Sequence, residues 1–125
     1  MVKGLGIDLV ELARFERALS RHGHRIEERL FTPTERADCD ARPDRSQALA
    51  ARFAAKEAAL KALGTGWSKG ISFRQIEVLR ESSGAPRLRL HDRAALRADE
   101  LGVRHVHVSL THQPGVAAAV VVLEG

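Results

Sequence analysis

Tyrosine is absent from this chain, and tryptophan and cysteine occur once each. So few large rings leave little on which nucleic-acid bases could stack, which argues against a single-strand binding surface. The lone Cys39 excludes an intrachain disulfide and a cysteine zinc cluster. No apolar run approaches the length of a membrane span. Lys3 and Asp8 interrupt the opening apolar stretch where a signal peptide would need continuity. A cytoplasmic chain without membrane contact is therefore expected. There is no Walker sequence, internal repeat or low-complexity tract. Gly64, Gly66 and Gly70 read G-x-G-x-x-x-G after an expected helix, which is not the dinucleotide fingerprint that follows a strand. Ser109 has no evident acid to orient a histidine for it, so a hydrolase triad is unsupported.

What is present is ordinary in bulk. With 125 residues, 44% apolar and 29% charged, the chain suits one domain, residues 1–125, with a real core. A formal charge of +4 tolerates acidic partners without demanding nucleic acid.

The chain opens with a strand over Val2 to Val10, in which Asp8 is a carboxylate among Leu5, Ile7 and Leu9. Either Asp8 faces water on an edge strand, or it is buried against a metal or a cation, since an unpaired buried charge is too costly. From Glu11 the pattern turns helical. Leu12, Phe15 and Leu19 share a face, while Arg14, Arg17, Arg21 and Arg25 make a basic surface. Such a run is a solvated face or a dock for an acidic protein.

Thr32-Pro33-Thr34-Glu35 is a helix start with the makings of a capping box. That short helix should end before Arg42-Pro43-Asp44, and Asp44 or Ser46 should cap the next. The next helix runs to about Leu63, with Leu49, Phe53, Leu60 and Leu63 as its core stripe. A three-glycine loop with Trp67 follows over residues 64–72. A hairpin is expected from Phe73 to Leu90 with its turn at Ser82-Ser83-Gly84, then a helix from Asp92 to Leu101. Val103 to Leu110 alternates as a strand, with His105, His107 and Ser109 on one side. Residues 111–115 form a turn, and Val116 to Leu123 is apolar on both faces, as in a strand covered on both sides. The class is α+β with a mainly antiparallel sheet packed with one long central helix and shorter helices.

The segment RFAAKEAALKALGTG, Arg52 to Gly66, concentrates the chemistry. Arg52, Lys56, Glu57 and Lys61 stand among alanines small enough for close packing. Taken alone, the i,i+4 spacings describe two surface ion pairs. Asp8 and Glu57 together match the two carboxylates a protein usually gives to magnesium, with substrate phosphates completing the shell. Arg52, Lys56 and Lys61 would supply phosphate contacts. His112, beside the expected turn, is placed for an acid, base or phosphate contact.

GIDLVE (Gly6 to Glu11), RFAAKEAALKALGTG and SLTH (Ser109 to His112), in register along the whole chain, resemble the holo-acyl-carrier-protein synthases. These are small bacterial 4'-phosphopantetheinyl transferases. The resemblance implies their fold and the Mg-dependent transfer of 4'-phosphopantetheine from coenzyme A to a serine of apo-acyl carrier protein, leaving adenosine 3',5'-bisphosphate. It implies a homotrimer with active sites between subunits. Asp8 and Glu57 would hold Mg2+, and Lys61 would meet the diphosphate. Arg52, Gly64, Gly66, Thr111 and His112 would line the coenzyme pocket. Arg14, Arg21 and Arg25 would receive the carrier protein. Glu57 is the first candidate for general base and His112 the second. The alternatives are a metal-dependent phosphohydrolase and a basic non-catalytic binding module.

Overall fold

The structure, a computed structural model, describes residues 1–66 and 70–125. The expected loop with Trp67 falls partly outside them. In order come strand β1 (Val2–Glu11), helices α1 (Leu12–His22), α2 (His24–Leu30), α3 (Pro33–Asp40) and α4 (Arg45–Leu63), and a 3-10 turn at Phe73–Gln75. Strands β2 (Ile76–Arg80) and β3 (Pro86–Leu90), helix α5 (Asp92–Glu100), and strands β4 (His105–Gln113) and β5 (Val116–Glu124) complete the chain.

Two antiparallel sheets form: β1-β5-β4, with β5 in the middle, and the β2-β3 hairpin. The expected α+β class holds. Helix α4 is the centre, buried on nearly every side. Its alanines let the three-stranded sheet lie close upon it. The closest approach is at β1, where a Cβ on Gly6 would overlap the Ala58 carbonyl and one on Gly4 that of Ala62. These two glycines are there because a helix backbone occupies the space of a side chain.

The capping box of α3 forms as its sequence dictates. Thr32 Oγ1 accepts from Glu35 N–H at 3.2 Å, and Glu35 Oε1 accepts from Thr32 N–H at 2.8 Å. Glu35 is fully buried and does more than cap. Its Oε1 also receives Lys56 Nζ at 2.7 Å, and its Oε2 receives Val78 N–H at 2.7 Å. Lys56 gives its other two protons to the carbonyls of Phe73 and Ile76, at 2.9 and 2.8 Å. This corrects the expected phosphate contact by Lys56: the side chain is 0% exposed and ties α3, α4 and β2 together. Burial pushes its pKa down, and the Glu35 carboxylate works against that.

Three smaller expectations also change. Asp44 occupies the N-cap of α4, but its carboxylate is taken by Arg42 in a bidentate pair at 2.9 and 3.1 Å and caps nothing. Thr111, His112 and Gln113 belong to β4 rather than to a turn, because they stay paired with Ala118, Ala117 and Val116. The turn itself is Pro114-Gly115, with Gly115 at φ 87°. Finally, β5 is covered on one face only within a single chain. Ala117, Ala119, Val121 and Leu123 are buried under α4. The opposite face carries Val120 and Val122 beside Leu5, Ile7 and Leu9, the last three 64%, 67% and 65% exposed.

Candidate active site

The inner face of β1 carries Asp8 toward α4, where Glu57 stands. Alternation along the strand puts Gly6, Asp8 and Val10 on this side and Leu5, Ile7 and Leu9 on the other. Asp8 and Glu57 line one cleft of about 480 Å³, together with Val10, Arg14, Phe15, Ile26 and Phe53. Both sequence readings of Asp8 prove partly right: β1 is an edge strand, yet the Asp8 side chain is only 18% exposed and meets a cation. Lys61 Nζ lies 3.0 Å from Asp8 Oδ1 and 2.9 Å from the Ile7 carbonyl. Among the described residues Glu57 forms no ion pair with its i,i+4 neighbour Lys61, which turns to Asp8 instead.

Burial and the nearby Asp8 charge raise the Glu57 pKa, and Lys61 partly opposes them. Among the described residues Glu57 makes no hydrogen bond. Two carboxylates facing one ammonium leave a surplus negative charge that a divalent cation would neutralise. Among the described residues no group of three or more His, Cys, Asp or Glu surrounds a metal. The pair therefore fits an ion such as magnesium, which completes its shell from water and phosphate oxygens, and does not resemble a closed structural site.

A second cleft, about 280 Å³, opens near the start of α4 and is lined by Arg42, Gln47, Arg52, Arg80 and His112. Arg52 is 2% exposed, and its Nη1 donates to the Ala48 carbonyl at 3.3 Å. Among the described residues its Nε and Nη2 are buried with no hydrogen-bond partner. Buried orphan donors on a guanidinium are costly, and an anion relieves that cost. His112 accepts or donates at Nδ1 with Gln47 Nε2, 3.0 Å away.

The expected site residues therefore divide. Asp8, Glu57 and Lys61 come together, and so do Arg52 and His112, but Glu57 and His112 line different clefts of one chain. Thr111 shares a small groove with His112 and Leu9. Gly64 and Gly66 take φ 73° and 52° after α4, and Arg97 Nε secures that end by donating to the Leu63 carbonyl at 3.0 Å. Arg14, Arg21 and Arg25 are exposed on α1 and α2. Arg14 borders the carboxylate cleft, and Arg25 lines a groove with His22, Ile26 and Arg29. Ile26 lines both, so the basic surface and the carboxylate cleft adjoin.

A family model described as the 4'-phosphopantetheinyl transferase superfamily matches residues 4–121. A holo-[acyl-carrier-protein] synthase of Solidesulfovibrio magneticus is 51% identical over 125 residues, covering 100% of both chains. The crystal structure of the holo-[acyl-carrier-protein] synthase from Neisseria meningitidis superposes with a TM-score of 0.90 at 33% identity, again over 100% of both. That of Helicobacter pylori, in complex with coenzyme A, gives 0.85 at 34% identity over 96% of this chain and 99% of that one.

The chain belongs to the holo-[acyl-carrier-protein] synthase family. It is an enzyme of the phosphopantetheinyl transferase class with that family's fold. The family likeness pointed to Asp8, Glu57 and Arg52, but gave no sign of Arg42, Gln47 or Arg80 in the second cleft. Gln47 had no helical signal either, because a residue five positions from Arg52 lies on a different face of α4. Arg80 had no local signal, because β2 reaches the cleft only through the tertiary fold. No helix among the described residues is long and apolar enough to cross a membrane.

Proposed function

We propose that this enzyme transfers 4'-phosphopantetheine from coenzyme A to a serine of apo-acyl carrier protein and releases adenosine 3',5'-bisphosphate. The observation that carries the reading is the meeting of Asp8 and Glu57 in one cleft, flanked by Lys61 and by the basic α1–α2 surface. The names of the relatives and the coenzyme A held by the Helicobacter pylori neighbour support it.

Asp8 and Glu57 would hold magnesium, which when bound supplies neutralisation of the charge that grows on the diphosphate. Lys61 adds positive charge at the rim, where its 54% exposed side chain can follow a phosphate. Arg52 and His112 receive the anionic remainder of the coenzyme. The positive φ of Gly64 and Gly66 leaves bare backbone for a close approach at the end of α4, while Thr111 stands beside His112. Arg14, Arg21 and Arg25 seat the acidic carrier and aim its serine at the cleft. The serine oxygen attacks the β-phosphate in line, the bond to the bridging oxygen breaks, and Glu57 takes the serine proton. Glu57 lines the cleft at which the serine would arrive, which makes it the proton acceptor at hand.

The open apolar face of β1 and β5 and the division of the residues between two clefts support a homotrimer with sites between subunits. The Glu57 cleft of one copy would face the Arg52 cleft of the next. Incubation with coenzyme A, magnesium and apo-carrier protein, followed by intact-mass measurement, tests the function. The carrier should gain the mass of phosphopantetheine. Unchanged carriers from several sources would refute transfer, and release of phosphate to water would indicate a phosphohydrolase instead.

A further inference from the structure

Gln47 stands in the first turn of α4, and its side-chain amide reaches two groups on β4. Its Nε2 lies 3.0 Å from His112 Nδ1 and 3.4 Å from the Gln113 carbonyl oxygen. A carbonyl oxygen has no proton to give, so it selects the amide orientation that turns NH2 toward β4. The same NH2 then donates to His112 Nδ1, which must be the bare nitrogen of the ring. A neutral imidazole with Nδ1 bare carries its proton on Nε2.

The surroundings act in the same direction. Among the described residues, the charged groups that line this cleft with the ring are Arg42 from the turn before α4, Arg52 from α4, Arg80 from β2, and Asp44 at the α4 N-cap. Three of the four are cations, and Asp44 is held by Arg42. A protonated ring would also place Nδ1–H against the Gln47 NH2, donor against donor.

We propose that Gln47 is a positioning residue that locks His112 as the neutral Nε2–H tautomer, making His112 a hydrogen-bond donor to a bound anion and not the general base. The anion's identity rests on the function proposed above; the tautomer does not. A donor held this way suits a phosphate beside the orphaned Arg52 donors. The serine proton then has Glu57 as its destination.

Long-range proton–nitrogen correlation spectra of the imidazoles, recorded on the labelled full chain without ligand, read the tautomer directly. His112 should show Nδ1 unprotonated and Nε2 protonated near neutral pH. In Gln47→Glu the new carboxylate accepts from Nδ1, so that nitrogen should become the protonated one. A protonated Nδ1 in the parent chain, or a ring whose Nδ1 stays bare in Gln47→Glu, would overturn the lock. Because no substrate is present, these spectra stand apart from the transfer assay. The donor role has its own test. His112→Gln keeps an N–H near the Nε2 position and should transfer about tenfold faster than His112→Leu at limiting coenzyme A, the worth of one charge-assisted hydrogen bond. Equal losses in the two variants would overturn it.

Discussion

The two clefts hung on α4 are opposites. The one beside β1 is lined by the carboxylates of Asp8, Glu11 and Glu57 and by Arg14, with Lys61 paired to Asp8 and apolar walls from α1 and α2. The one near the start of the helix holds three guanidinium groups and an imidazole, with two buried Arg52 donors unpartnered. The first carries more carboxylates than cations, and the second three guanidinium groups to the one carboxylate of Asp44. A diphosphate with a divalent ion suits the first, and a bare phosphate suits the second. Coenzyme A carries both kinds of group, but one chain presents the clefts separately. In the proposed homotrimer the two clefts would meet across copies, with the apolar face of β1 and β5 as the contact surface.

The strongest way to break the carboxylate side is Glu57→Gln, which removes a ligand and the proton acceptor together. Transfer should fall by about 10³-fold or more. A near-normal rate at moderate magnesium would sink the two-carboxylate account. The helix that carries both clefts depends on Lys56. Lys56→Met leaves Glu35 buried without its cation and should cost about 3–5 kcal/mol in denaturant unfolding. A loss under about 1 kcal/mol would show that the tie is dispensable. On the arginine side, Arg52→Ala should raise the KM for coenzyme A by about 10- to 100-fold and leave the KM for carrier protein alone. Arg14→Glu should do the reverse, weakening carrier protein by about tenfold. Equal effects on both substrates would erase the distinction between cleft and dock.

The smallest effect concerns the hairpin that brings Arg80 to the second cleft. Burial pushes the Glu77 carboxyl up, but hydrogen bonds from Thr32 and His91 more than offset this and hold its pKa below the ordinary value of 4.5. A carboxyl lowered in the folded state stabilises above its unfolded pKa, and the benefit is lost as pH falls through the folded value. His91→Ala should therefore lower stability at mildly acidic pH, with the gap to the parent narrowing as Glu77 is protonated. A gap that stays constant with pH would contradict the assignment.

The sequence was most legible where local chemistry decides. The Thr32–Glu35 box, the β2–β3 hairpin and the strand bearing Asp8 all form as their residues dictate. It was least legible on α4, where Lys56 and Glu57 are neighbours in sequence with opposite fates. Periodicity marks a face only when one side of a helix is wet, and α4 is buried nearly all round. Nothing local announced that Glu35 and two carbonyls would claim Lys56, whereas Arg42, which draws Asp44 from its cap, stands only two residues from it. The partners of His112 were hidden for the same reason, since Gln47 lies 65 positions away.

Complementation between two disabled chains tests the shared site most directly. Glu57→Gln spoils only the carboxylate cleft, and Arg52→Ala only the arginine cleft. Each homogeneous assembly should be nearly inactive at limiting coenzyme A. After the two are mixed and subunit exchange is verified by native mass, some interfaces join an intact Glu57 to an intact Arg52, and transfer should return well above either parent. Exchanged assemblies that stay as inactive as their parents would mean that each chain builds its site alone.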